Sequence, residues 1–297
     1  MRLFERLLTA APITSQVRKF LSLILLLFFF GVSTISLADN LKPLTVVISR
    51  EEKLTPDHDD YYFSKLLELV LTKTVATHGP YEIKLVPVMP INNRLLREIE
   101  SGRVDITWMP YNAHGPAQLM PIKFRLLKEL SDYRLFLIRA DDQVRFSQVK
   151  TIEDLRQLRG GIGSHWPDRI VMEENGLPLV LSVSYFNLFK MLASKRFDYY
   201  SRGAHQVLPE IATYAPKGLA LERELLLRYE NPVYFYINRS NTKLAERLSI
   251  GLNMAREDGS FDALFKQFES FTWAEKTLKE SNRRVISLTN FSFNNTK

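Results

Sequence analysis

The residues best equipped for chemistry sit in short clusters at the ends of apolar, β-branched runs. Ser49, Arg50 and Glu51 close the run 44–49. Trp108, Tyr111 and Asn112 lie at the end of the run 104–109. Ser164, His165 and Trp166 follow the glycine-rich run 160–163, and Ser201, Arg202 and Gly203 follow the run 197–200. If these runs are strands of open α/β sheets, the clusters fall outside the carboxyl ends of strands, where such sheets bind ligands. Arg50 and Arg202 offer planar guanidinium forks that match a carboxylate. Trp108, Tyr111 and Trp166 offer aromatic faces, and Asn112 and Ser164 offer polar hydrogen-bonding groups. The backbone N–H groups near Ser164, at a helix start, suit an anion. The expected ligand-binding set is therefore Arg50, Trp108, Tyr111, Asn112, Ser164, His165, Trp166 and Arg202.

Other chemistries lack their residues. His58 lies among Asp57, Asp59 and Asp60, but adjacent residues do not converge on one ion without a special loop. His78, His114, His165 and His205 lack the spacing of a zinc site. There is no Gly-x-Ser-x-Gly elbow and no phosphate-binding Walker loop. Glu173 and Glu174 are neighbours on a predicted helix and point in different directions. No catalytic residue, metal ion or cofactor is expected. His165 is the one group placed to test for acid–base work.

The elements that must carry these clusters begin after a leader. Arg2, Arg6, Arg18 and Lys19 precede an apolar core over 20–32, and Ser36-Leu37-Ala38 supplies small residues for cleavage after Ala38. An uncleaved anchor is the alternative, although the core is short for a spanning helix of ~20 residues. The formal net charge of +7 is interspersed along the chain and partly lies in the leader, which gives no nucleic-acid footprint. With Cys 0, disulfides and thiol chemistry are excluded, and 45% hydrophobic content is ample for a core.

Past the leader, strands and helices alternate. Strands are expected at 44–49, 81–86 and 104–109, with helices at 62–76 and 92–101, the second ended by Gly102. The order then repeats: strands at 133–138, 160–163, 179–183 and 197–200, with helices at 151–158, 168–175 and 187–194. A strand at 232–237 and helices at 244–258 and 260–271 complete the set, and the polar tail beyond reads as loosely held. Such alternation implies α/β layers with mainly parallel sheets. The pattern Ser101-Gly102-Arg103-Val104-Asp105 recurs as Ser194-Lys195-Arg196-Phe197-Asp198, each time between a helix and a strand.

These residues resemble the bacterial extracellular solute-binding proteins of family 3. The carriers of the resemblance are Leu95 to Asp105, Asp154-Leu155 through Gly160-Gly161-Ile162-Gly163, Leu192 through Arg196-Phe197-Asp198, and Asp258-Gly259 through Phe268. The resemblance implies a two-lobed periplasmic-binding-protein-like fold of type II, each lobe a mainly parallel sheet flanked by helices. The implied division is residues 1–38 as signal peptide, 40–138 with 232–276 as the first lobe, 139–231 as the second, and 277–297 as a tail. It further implies a periplasmic monomer that captures a small polar solute, amino-acid-like or otherwise anionic, for an ABC permease. The alternatives are a ligand sensor for a membrane signalling protein and a dehydratase-like enzyme on the same scaffold. One departure bears on the ligand. The arginine that such proteins place after the first-lobe strand has no counterpart in residues 110–118, which leaves Arg202 as the guanidinium offered from the other lobe.

Overall fold

The computed structural model describes residues 42–55, 59–89, 93–111, 116–280 and 282–294. The expected leader, His58, His114 and Asn112 lie outside the described residues. The strands are β1 (Leu44–Ser49), β2 (Tyr81–Val86), β3 (Ile106–Pro110), β4 (Leu119–Ile122), β5 (Tyr133–Arg139), β6 (Gly160–Gly163), β7 (Leu179–Ser182), β8 (Tyr199–Gly203), β9 (Leu219–Leu221), β10 (Leu225–Arg228), β11 (Val233–Asn238) and β12 (Arg284–Ser287). The helices are α1 (Asp59–Lys73), α2 (Val75–His78), α3 (Asn93–Glu100), α4 (Gln143–Ser147), α5 (Ile152–Leu155), α6 (Asp168–Glu174), α7 (Tyr185–Ala193), α8 (Val207–Tyr214), α9 (Thr242–Glu257), α10 (Ser260–Phe265), α11 (Glu269–Glu280) and α12 (Phe291–Asn294).

Two sheets define two lobes. The first is five-stranded in the order β2-β1-β3-β11-β4. Strands β1, β2 and β3 run parallel, and β11 runs antiparallel to both β3 and β4. The second is seven-stranded in the order β12-β10-β5-β8-β6-β7, with β9 beside β5. Its β6, β7 and β8 are parallel, whereas β5 is antiparallel to β8, β9 and β10. The antiparallel strands β5 and β11 each follow a crossing between lobes.

Sheet membership moves two boundaries expected from the sequence. The division at residue 138 would leave 133–138 in the first lobe, yet β5 hydrogen-bonds to β8 and β10 in the second sheet. The chain between the two sheets is therefore residues 123–132 on the first pass and 229–232 on the second. The tail is also built in: β12 pairs with β10 in parallel, and Ile286 and Leu288 are buried. Ile286 and Leu288 are two apart, so one face enters the core, while Val285 and Ser287 lie exposed on the other. Helix α11 carries the chain from the first lobe to β12 and packs against α8 and the short 3-10 turn Leu130–Asp132. One apolar cluster runs through both lobes, with Leu126, Leu127, Leu130, Phe271 and Ala274 among its members at the crossings.

The repeated Asp motif has a structural task. Helix α3 ends at Gly102, whose φ of +71° suits a residue without a Cβ. Asp105 then donates its N–H to the Val47 carbonyl (2.8 Å) and accepts the Val47 N–H on Oδ2 (2.7 Å). Asp198 repeats this on Arg159, with N–H to carbonyl 2.8 Å and Arg159 N–H to Oδ2 2.8 Å. Each carboxylate staples the start of its strand to the neighbouring chain. Both staples stand at the opposite strand ends from Tyr111, which follows β3, and Arg202, near the end of β8.

Candidate functional site

The second lobe gathers four of the expected residues around the carboxyl end of β6. Ser164, His165 and Trp166 form the loop between β6 and α6. The Ser164 N–H bonds to the Ser182 carbonyl (2.9 Å), which continues the β6–β7 ladder by one residue. Trp166 folds back over Gly163, where a Cβ would stand 2.6 Å from the indole, so only glycine leaves room for the ring. The indole stacks on Tyr200 (centroids 6.2 Å apart, planes 19°), and the Arg202 guanidinium lies 4.9 Å from it. His165 is exposed at the loop tip.

Arg202 is not in the loop after the strand, as the sequence reading had it; it is inside β8, opposite Leu135 of β5. The strand starts at Tyr199, because the Asp198 staple sets its first residue, and so runs to Gly203. Polar Ser201 and Arg202 read as an end signal in the sequence, but both are buried. Alternation puts Tyr200 and Arg202 on the same sheet face. Arg202 Nε donates to Glu210 Oε1 of α8 at 2.8 Å, and a second nitrogen stands 2.7 Å from the same oxygen. The rings of Tyr185 and Tyr200 flank the guanidinium at 5.3 and 5.1 Å, and the Tyr185 hydroxyl donates to Glu210 Oε1 at 2.9 Å. Burial alone would lower the guanidinium's pKa; the Glu210 carboxylate more than offsets this and holds it above the usual arginine value. Tyr185 is pushed far up, by burial first and by Glu210 next, so its hydroxyl stays a donor.

Several polar atoms of this region have no partner. Glu210 Oε2, the Tyr200 hydroxyl and the Ser164 hydroxyl are buried without a hydrogen bond. Buried polar groups are nearly always paired, so each open valence stands out.

The first lobe arranges its expected residues differently. Arg50 follows β1, and its backbone N–H bonds to the Val86 carbonyl (3.3 Å); Nη1 donates to the Glu51 carbonyl (3.3 Å), and Nε is buried without a partner among the described residues. Trp108 lies within β3 and is buried: its indole N–H donates to Asp60 (2.7 Å) and its ring stacks on Phe63 (5.5 Å). Its side chain thus packs beneath α1. Tyr111 follows β3, with its N–H on the Pro232 carbonyl (2.8 Å) and its ring edge-on to Tyr234 and Phe293.

The second crossing holds another charged cluster, which sequence reasoning missed. Asp168, at the start of α6, takes hydrogen bonds on Oδ1 from Arg134 Nε (2.8 Å), from the Tyr229 hydroxyl and from Asn231 Nδ2 (3.3 Å). Arg134 also donates to the Ser131 carbonyl (2.7 Å). Asp132 receives Arg125 (2.7 Å) and the Asn231 N–H (2.9 Å). Two sequence signals mark these groups: Arg134 interrupts the apolar run of β5, and Glu210 falls on the apolar face of α8 beside Val207, Ile211 and Tyr214. Among the described residues no group of three or more His, Asp or Glu is placed to hold a metal ion, and no helix is long and apolar enough to cross a membrane.

No protein-family model matches the chain, and no curated protein matches its sequence. Solved structures do match in shape. An ancestral arginine-binding protein bound to glutamine aligns with a TM-score of 0.57 at 15% identity, covering 77% of this chain and 100% of that one. A histidine kinase sensor domain with similarity to periplasmic binding proteins aligns with a TM-score of 0.55 at 16% identity, covering 76% and 95%. The ligand-binding core of GluR0 from Nostoc punctiforme, in complex with L-glutamate, aligns with a TM-score of 0.54 at 15% identity, covering 77% and 100%. Two sheets flanked by helices, joined by crossings that precede antiparallel strands, and this likeness over nearly the whole of each neighbour give the chain the two-lobed α/β fold of the type II periplasmic binding proteins.

Proposed function

We propose that this chain is an exported, periplasmic solute-binding protein that captures a small polar ligand, amino-acid-like or otherwise anionic, between its lobes and delivers it to an ABC permease. The observation that carries this reading is the Ser164–Trp166–Arg202 cluster at the carboxyl end of β6, with its unpartnered hydroxyls and a guanidinium held behind an indole. In this reading Ser164 and its loop contact the ligand and Trp166 stacks on it. Arg202 supplies positive charge, backed rather than quenched by Glu210, whose second oxygen is buried and makes no hydrogen bond. Arg50 and Tyr111 are the contacts that the first lobe contributes in this reading, and Trp108 supports that wall from within; Asn112 lies outside the described residues. His165 is a rim contact. Residues 1–38 direct export, and the protein acts as a monomer.

A second reading has its own support. The histidine kinase sensor domain matches the fold as well as the binding proteins do, so the ligand's message could go to a membrane signalling partner instead. Both readings make binding, not turnover, the activity.

A thermal-shift screen against the common amino acids and small carboxylic acids tests the proposal. A ligand at a hundredfold excess over its Kd stabilises by about 2.7 kcal/mol. A clear shift with a polar amino acid or small anion is the expected result. No shift with any of them would count against the ligand class, and conversion of a hit into product would favour an enzyme.

A further inference from the structure

Beside the first crossing lies a cavity of about 490 Å³ that shares no residue with the ligand-binding set. Its walls are residues 122–128 of β4 and the crossing, one face of α9, and Phe261 of α10. Four lining residues are basic: Lys123, Arg125 and Lys128 on the crossing, and Arg256 on α9. Among the described residues the lining holds no acid. Two of the four cations are balanced by carboxylates outside the lining. Arg125 pairs with Asp132 (2.7 Å) and Glu230 (3.3 Å), and Lys128 with Asp262 (2.8 Å) and Glu275 (3.6 Å). Arg256 is set by neutral groups: it donates to Asn253 Oδ1 (2.8 Å), and its guanidinium lies 5.6 Å from the Phe124 ring. Both Arg256 and Lys123 are exposed. The rings of Phe124 and Phe261 meet edge-on, with centroids 5.1 Å apart, and give the cavity an apolar wall. A separate observation marks the same place. Lys128 has a φ of +52°, in the left-handed region that a Cβ disfavours. Glycine would relax this position; the lysine instead carries its ammonium to within 4.2 Å of the Phe265 ring and onto Asp262 of α10. Backbone strain of this kind gathers at ligand sites.

We propose that this cavity is a second binding site, for a phosphate monoester, with the phosphoryl group at Lys123 and Arg256 and the organic part against Phe124 and Phe261. A phosphate monoester carries a charge of about −1.5 to −2 at pH 7 and three strong acceptor oxygens. It can therefore take a guanidinium fork and an ammonium at once, where a carboxylate has two oxygens to offer. Arg125 and Lys128, already balanced, hold the crossing in place and add positive potential behind the two exposed cations. The site stands on its own residues and does not rest on the solute-binding reading.

Two probes test it on the full chain: phenyl phosphate, followed by titration calorimetry, and vesicles of phosphatidylcholine with phosphatidic acid, followed by flotation. Phenyl phosphate should bind saturably at one site, more weakly as salt is added. The double variant Lys123→Ala/Arg256→Ala should bind it roughly tenfold or more weakly, as the loss of charge-assisted contacts requires. Both residues are exposed, so the variant keeps the core intact. Lys190→Ala/Lys243→Ala removes the same charge from exposed positions outside the cavity and should bind as the wild type does. Vesicle capture that the cavity variant abolishes would make a lipid headgroup the source of the phosphate, and phenyl phosphate binding without capture would make it a soluble ester. If neither probe binds, or if the cavity variant binds them as the wild type does, the proposal is overturned. The substituted residues lie apart from the Arg202 face, so the result is independent of the solute screen.

Discussion

Two buried arginines stand side by side in the second sheet and do opposite things. Arg134 on β5 and Arg202 on β8 are one register step apart, on opposite faces of the sheet. Each pairs with one carboxylate, Asp168 or Glu210. Around the Arg134–Asp168 pair the partners come from separated parts of the chain: Ser131 of the first crossing accepts from Arg134, and Tyr229 and Asn231 of the second crossing donate to Asp168 at the start of α6. Around Arg202 the partners are aromatic faces, and the paired carboxylate keeps one oxygen without a hydrogen bond. The first network ties distant parts of the chain through shared hydrogen bonds, whereas the second is local to one sheet face and one helix and leaves a carboxylate oxygen without a hydrogen bond. The comparison shows Arg134 tied to both crossings and Arg202 tied to α8 among aromatic rings, which is the difference that the proposed ligand role for Arg202 builds on.

The largest effect should follow from breaking the first pair. Arg134→Ala strands the Asp168 charge and should cost about 3–5 kcal/mol of stability, read by denaturant unfolding. A loss under about 1 kcal/mol would put Arg134 on a par with a surface charge. Next comes a double replacement at the other site. Arg202→Met with Glu210→Leu exchanges an ion pair for apolar side chains in an aromatic setting, and such swaps are often neutral. It should change stability by less than about 2 kcal/mol. A collapse as large as that of Arg134→Ala would erase the distinction between the two arginines.

Acid should act through the first pair. Burial raises the Asp168 carboxyl's pKa, but the Arg134 guanidinium and the Tyr229 hydroxyl more than offset it and hold it below the ordinary 3.8. A depressed carboxyl contributes stability that is fully present above its ordinary value and is lost as pH falls below it, through the folded-state value. Unfolding followed from pH 7 down to pH 2 should show that loss in the wild type and a flatter profile in Asp168→Asn. Parallel profiles would remove Asp168 from the account.

The smallest effect separates the two Asp staples. Burial raises Asp105, and the Val47 N–H only partly counters it. Burial also raises Asp198, but the Arg159 N–H and the guanidinium of Arg145 lower it further than that. A raised carboxyl contributes fully below its ordinary value and loses that contribution as pH rises through the folded value; a lowered one behaves in the opposite sense. At pH 7 Asp105→Asn should therefore be neutral or slightly stabilising, while Asp198→Asn should cost about 1 kcal/mol. Thermal unfolding of both variants would show the order, and a reversed order would refute the electrostatic difference.

The fold was largely legible in the sequence because its signals are local. Apolar runs such as 44–49 and 233–237, the helix stop at Gly102 and the repeated Asp motif each act within a few residues. Lobe membership was less legible because it depends on partners far along the chain. The run 133–138 reads as a strand, but only pairing with β8 and β10 tells which sheet receives it. The tail was misjudged for a related reason: its apolar residues are few, and β12 exists because β10 offers it a free edge. At the site, Ser164 and Trp166 fell where expected because Gly163 ends β6 cleanly. Arg202 and Trp108 did not, since a polar or aromatic residue near a strand end gives no sign of whether the strand has stopped. Glu210, more than Arg202's own neighbours in sequence, decides where that guanidinium lies.

The most direct test of the account is titration calorimetry of the wild type and the Arg202→Met/Glu210→Leu double variant with the best ligand from the thermal-shift screen. If the Arg202 face holds the ligand, the folded double variant should lose about 2–5 kcal/mol of binding free energy, the cost of truncating a buried charge contact. Equal affinities for the two proteins would contradict it and place the ligand on the first lobe.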